Sequence, residues 1–316
     1  MSFLALLVIV APVFLIIVAG YVVRRAEWLT AEADASLLRL GVNLLFPCLI
    51  LDTILGNSAL ASAGNLLLAP AVGFGTVVLG FAVAWFAAPA FGVREATARR
   101  TFAFTTGLYN YGYIAIPLAQ KLFDEKTTAV LFIHNVGVET AIWTVGLMLI
   151  SGRSPQHAAR NIFNIPLLAI GCAIALHFAG GRTWMPDWSL HAAHMIGAAA
   201  IPMGLILTGA TFCDHARQVS LRGAVTDSLG ACVLRLGVLP VLMIAAARWL
   251  PCPPELRNVL LIQAAMPSAV MPVILAKHYG GDPRLALRII LCTSVGALLT
   301  IPWWIQHGLR WIGAGH

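Results

Sequence analysis

From Phe3 to Val23 the chain runs without a charged side chain, and comparable apolar runs follow one another along the sequence. A helix needs roughly 20 predominantly apolar residues to cross the hydrocarbon core of a bilayer. These runs therefore restrict the chain to a bundle of membrane helices. Composition agrees: 59% of residues are hydrophobic and 10% charged, with a mean hydropathy of +0.86, too little polar surface to cover a water-soluble globule of this length. The first run lacks a basic leading region and a small-residue cleavage site and is longer than the usual apolar core of a signal peptide, so it reads as a true first span.

Charges and Gly, Pro and Asn clusters divide the sequence into ten expected spans, at about 3–23, 36–56, 65–90, 101–122, 128–151, 162–180, 192–212, 224–249, 258–278 and 286–313. Most Lys and Arg fall in the odd-numbered loops, among them Arg24, Arg25, Arg99, Arg100, Arg153, Arg160, Arg217, Arg222 and Arg284. Short cytoplasmic loops carry the excess of positive charge. The expected location is the cell's inner (plasma) membrane, multi-pass, with both termini on the outer, periplasmic side. The net charge of +7 is then a topology signal and an attraction to anionic lipid, and calls for no nucleic acid.

Two of these spans are interrupted. Asn110-Tyr111-Gly112-Tyr113-Ile114-Ala115-Ile116-Pro117 breaks the fourth, and Ala265-Met266-Pro267-Ser268-Ala269-Val270-Met271-Pro272 breaks the ninth. Irregular backbone at membrane depth survives only where protein or a watery cavity covers it, and a matched pair of broken spans is the sequence pointer to a transporter's binding site. Short echoes accompany the pair: Pro47 followed by Leu49-Ile50-Leu51 and Pro202 followed by Leu205-Ile206-Leu207, and Asn135-Val136-Gly137 and Ser294-Val295-Gly296. Each recurs at about half the chain length. Five spans per copy is an odd number, so the second copy enters the membrane from the opposite side. The expected fold class is an all-α polytopic membrane protein of ten transmembrane helices in two inverted five-helix repeats, residues 1–151 and 152–316.

Breaking a helix at mid-membrane leaves a half-helix N-terminus whose free N–H groups and positive dipole end favour an anion. The Asn110 amide can donate to a carboxylate or accept from a cation. Ionisable residues inside spans are costly and are functional candidates. Glu139 follows His134-Asn135, so the three can share a face as a proton-handling group, or Glu139 can pair with Arg235 of span eight and hold the structure together. Arg235 is either that partner or a clamp for a carboxylate. Asp52 lies toward the outer end of span two, as an interfacial carboxylate or a coupling site. His191-x-x-His194 has helical ligand spacing but no expected acidic or thiol neighbour, and the six cysteines are dispersed, so no metal site is expected. No Walker loop, haem ligand set or nucleophile with its base occurs. Neither an enzyme nor a cofactor is expected.

The run Asn110 to Leu118, the start of span nine at Gln263-Ala264-Ala265-Met266-Pro267-Ser268-Ala269, the Leu275-Ala276-Lys277-His278-Tyr279-Gly280-Gly281-Asp282 stretch and the opening Ala11-Pro12-Val13-Phe14 with Gly20-Tyr21 together resemble the auxin efflux carrier family over essentially the whole chain. The resemblance implies a fold related to the bile acid:sodium symporters. Spans 4 and 9 are then broken and cross, spans 1, 2, 6 and 7 form a scaffold, and spans 3–5 and 8–10 form a mobile transport domain. It implies a secondary carrier of a small organic anion, a dicarboxylate such as malonate or malate or an auxin-like acid, moving by an elevator type of alternating access. It also implies a homodimer formed through the scaffold. The implied substrate site takes Asn110, Gly112, Tyr113, Pro117, Gln263, Pro267 and Ser268. Ala115 stands where many members have a second Gly, and Met271-Pro272 stands where a small polar residue is common, which removes a candidate ligand for a coupling ion. The expected coupling ion is H+, with Na+ the alternative. A channel or a sensor that binds an organic acid is the alternative from another class.

Overall fold

A computed structural model describes residues 2–152, 164–216 and 225–313. Arg153, Arg160, Arg217 and Arg222, counted above among the loop cations, lie outside these residues. The regular elements among the described residues are all helices, with one isolated β-bridge. The helices are α1 (Phe3–Arg25), α2 (Ala31–Ile54), α3 (Gly64–Phe91), α4 (Ala96–Gly107), α5 (Ala115–Leu122), α6 (Glu125–Ser151), α7 (Ile165–Phe178), α8 (Asp187–Asp214), α9 (Thr226–Trp249), α10 (Pro254–Ala265), α11 (Met271–Tyr279) and α12 (Pro283–Ile312).

Seven of the described helices, α1, α2, α3, α6, α8, α9 and α12, are long and apolar enough to cross a bilayer individually. The other expected spans have different forms. One is the 14-residue α7. The remaining two are the broken pairs α4/α5 and α10/α11, whose longest member has 12 residues and rises about 18 Å. Starts follow ordinary capping chemistry. Asp124 accepts from the Thr127 N–H at α6, Asn164 from the Leu167 N–H at α7, and Glu95 from the Thr97 and Ala98 N–H groups at α4.

Helix pairs meet backbone to backbone at several glycines, most closely in two cases. At the α1–α8 contact, a Cβ on Gly20 would lie 2.1 Å from the Ile206 carbonyl oxygen, and one on Gly209 would lie 1.9 Å from that of Ile17. At the α3–α6 contact, a Cβ on Gly73 would lie 2.2 Å from the His134 carbonyl oxygen, and one on Gly137 would lie 1.8 Å from that of Pro70. Small residues permit such approach where apolar burial gives little drive between helices in lipid. Leu4, Val8, Leu15 and Val18 of α1 and Phe86 of α3 face outward, while Leu6, Val10, Val13 and Ile17 of α1 are buried against the bundle.

Four of the described helices contain a π-helical turn, among them Ile142–Gly146 in α6 and Leu234–Val238 in α9. Such a turn shifts the helix register and frees a backbone carbonyl. In α9 the indole N–H of Trp304 donates to the Leu236 carbonyl oxygen at 2.7 Å. Arg235 lies inside that same turn and is buried.

Candidate functional site

The two breaks cross and satisfy each other. Asn110 N–H donates to the Pro267 carbonyl oxygen at 2.8 Å, and Ala269 N–H donates to that of Leu108 at 2.9 Å. Tyr109 and Ser268 thereby form an antiparallel bridge. Backbone groups freed inside the bundle are thus paired without water. Beyond the breaks, α5 and α11 begin at the crossing, so two half-helix N-termini with their positive dipole ends meet this region.

Asn110 is buried, and its side-chain oxygen accepts from the Ile114 N–H at 3.3 Å. The carbonyl end of the amide therefore serves the start of the α5 segment. A Cβ at Gly112 would meet no atom within 4 Å, so this part of the break borders open space. Tyr113 leaves the crossing in another direction. Its ring packs at 5.6 Å between centroids on Phe46 of α2 and against Gly204 of α8, where a Cβ would lie 1.8 Å from the ring. Pro117 occupies the first turn of α5, where its missing N–H is tolerated.

Gln263 reaches the crossing from α10 and donates to the Tyr111 carbonyl oxygen at 3.4 Å and to the Asn135 side-chain oxygen at 3.3 Å. Asn135 in turn donates to the Tyr111 carbonyl oxygen at 3.0 Å. The Ser268 N–H donates to Thr293 Oγ1 at 3.3 Å. Among the described residues, Gln263 Oε1 and Ser268 Oγ are buried without a hydrogen-bond partner.

Glu139 has a partner set that sequence reasoning missed. Its carboxylate accepts from the Tyr111 hydroxyl at 2.6 Å, the Trp143 indole N–H at 2.8 Å and the Asn164 amide at 2.8 Å. The group therefore joins the break to the start of α7. Trp143 lies four residues on along the same helix and was detectable by that spacing, whereas Tyr111 and Asn164 come from elsewhere in the fold.

The alternative in which Glu139 pairs with Arg235 is corrected, because no ion pair joins them among the described residues. The shared face of His134 and Glu139 is corrected as well. Five residues at about 100° each place the two side chains about 140° apart around the helix. His134 is instead buried near the Tyr109 ring, 6.4 Å between centroids, and neither ring nitrogen has a hydrogen-bond partner among the described residues. Asn135 and Glu139, four residues apart, do share a face, and both reach Tyr111. Arg235 donates to the Ala264 carbonyl oxygen at 3.2 Å and lies 5.4 Å from the centre of the Tyr109 ring.

Asp52 lies apart from the crossing. It meets His194 Nδ1 at 2.9 Å, which corrects the expectation that His194 lacks an acidic neighbour. Both line a cavity of about 770 Å³ together with Asn57, Gln120, Asp124 and Arg182, and no residue of either break lines it. The crossing remains the stronger candidate site, because it gathers interrupted backbone, two dipole ends and buried polar atoms without partners.

The comparisons with known proteins agree with a transporter. The chain is 24% identical over 300 residues to an uncharacterized transporter of Methanothermobacter thermautotrophicus, covering 93% of this chain and 96% of that relative. It is 26% identical over 203 residues to the uncharacterized transporter MJ1031 of Methanocaldococcus jannaschii, covering 62% of this chain and 64% of that relative. The family described as membrane transport protein matches residues 5–169 and 161–305. The chain therefore belongs to that family, the auxin efflux carrier family of its sequence motifs, and is a multi-pass membrane transporter.

Proposed function

We propose that the protein is a secondary carrier of a small organic anion, working by alternating access of elevator type and coupled to protons. The single observation that carries this reading is the crossing, where the N-termini of α5 and α11 converge beside the Asn110 amide and the open space at Gly112. Two positive dipole ends beside the Asn110 amide suit a carboxylate. In this reading the ten crossings form two inverted repeats, 1–151 and 152–316, with α4/α5 and α10/α11 each counted as one span. α1, α2, α7 and α8 act as the scaffold and the site of dimer contact, and α3–α6 with α9–α12 carry the substrate. The close glycine contacts between α1 and α8 and between α3 and α6 fall within these groups, which supports the division.

Glu139 is the proposed proton-coupling group. Its carboxylate touches the break through Tyr111 and the opposite group through Asn164. A proton on it removes acceptor capacity, so occupancy of the proton and the hold on these two donors are linked.

The test is uptake of labelled malonate, malate and indole-acetate into proteoliposomes, with pH and sodium gradients imposed separately. The expected result is accumulation of one acid driven by the pH gradient. Accumulation driven by sodium alone overturns proton coupling. Downhill flux that no gradient drives uphill indicates a channel, and binding without flux indicates a sensor.

A further inference from the structure

Arg235 is a long cationic side chain, 1% exposed, in the membrane interior of α9. The arginines in ion pairs among the described residues have acidic partners: Arg24 has Asp34 and Asp214, and Arg288 has Asp227. Arg235 has no carboxylate within ion-pair distance among the described residues. Its guanidinium has five N–H donors, and it finds the Ala264 carbonyl oxygen at 3.2 Å, the Met243 sulfur at 3.7 Å and the face of Tyr109. Its Nε–H has no acceptor.

These contacts place the charge at the crossing. Ala264 lies in the last turn of α10, whose unpaired carbonyls give that half-helix end a partial negative charge inside the membrane. Tyr109 belongs to the other break and is bridged to Ser268. The guanidinium therefore touches the carbonyl end of one broken helix and the irregular segment of the other. Its unit charge exceeds the partial charge at the α10 end.

We propose that Arg235 is the fixed cation of the crossing: it offsets the carbonyl end of α10 and supplies the positive charge that draws a carboxylate to the site, so that acid binding needs no sodium ion. Its role is positional, acting through the field at the crossing and through Tyr109. The inference rests on the organic-anion reading above and adds to it the origin of the site's charge selectivity.

The test uses the full chain purified in detergent, with thermal unfolding followed by tryptophan fluorescence and malonate as the probe, in sodium chloride or in choline chloride. The expected result is the same malonate-induced rise in midpoint in both salts, retained in Arg235→Lys and weakened at least tenfold in apparent affinity in Arg235→Gln. Stabilisation by malonate only in sodium, or unchanged malonate affinity in Arg235→Gln, overturns the inference and leaves the organic-anion reading standing. If malonate has no effect, malate and indole-acetate are substituted. Absence of any response by the unsubstituted chain in either salt overturns both. Should Arg235→Gln fail to fold, the salt comparison on the unsubstituted chain and the retained affinity of Arg235→Lys decide the matter, and a tenfold loss in the lysine variant counts against it.

Discussion

The backbone N–H of Asn110 donates to the carbonyl oxygen of Pro267 at 2.8 Å, so the interrupted segment of one helix completes that of the other. Neither break can form alone without stranding polar backbone in the bundle interior. The Asn110 side chain adds a local bond, accepting from the Ile114 N–H. Asn110→Ala removes both this hydrogen bond and the amide NH2. Expected are a loss of about 1 kcal/mol in stability, typical of a lost hydrogen bond, and at least a tenfold fall in acid uptake. Unchanged uptake and affinity in a folded Asn110→Ala protein would remove the residue from the site.

Glu139→Gln keeps the shape of the side chain and abolishes its charge. Expected is loss of accumulation driven by a pH gradient, with counterflow of labelled against unlabelled acid retained. Tyr111→Phe, which deletes one of three donors to the carboxylate, should weaken the pH dependence without abolishing it. Accumulation by Glu139→Gln under the same gradient would assign coupling to another group.

Gly204 leaves room for the ring of Tyr113, and a Cβ there would overlap it. Gly204→Val should therefore displace Tyr113 and cut uptake severalfold. Tyr113→Ala in the same chain should restore part of the loss, since the two substitutions share one contact and are non-additive. Equal losses from the single and double variants in an uptake assay would show that the contact is not what Gly204 protects.

Glu95 outside the membrane interior has its carboxyl held below the ordinary range, chiefly by the N–H of Thr97 and then that of Ala98 at the start of α4. A carboxyl depressed in the folded state stabilises above its unfolded value and loses that contribution as pH falls through the folded value. Glu95→Gln should lower the unfolding midpoint modestly at neutral pH and leave it unchanged in acid, which flattens the acid limb of a plot of midpoint against pH. An acid limb identical to that of the unsubstituted chain would exclude the cap as its source.

The positions of both breaks were legible because Pro, Gly and Asn punctuate apolar runs, and the apolar periodicity placed the long helices. The mutual pairing of the breaks was not legible, because Asn110 and Pro267 belong to opposite halves of the chain and their contact is made by backbone atoms common to every residue. The face of Glu139 was partly legible: Asn135 shares it by four-residue spacing, while His134 falls on the far side. Its contact with Asn164 depends on where α7 begins beside α6, which no local pattern encodes. The pairing of Asp52 with His194 likewise joins residues 142 positions apart. Arg235 was visible as a buried cation, but its acceptor is a backbone carbonyl, so no side chain in the sequence marks it.

Where glycines let one helix's carbonyls touch the next helix's backbone, as between α1 and α8 and between α3 and α6, the joint behaves mechanically as a keyed shaft. Sliding by even part of a residue drives a Cα into an oxygen, so these pairs resist shear and shift only as rigid units. Compliance is left to seams lined by side chains, and the ring of Tyr113 against Phe46 and Gly204 is such a seam. The placement of glycine thus sets where the bundle is stiffest against shear.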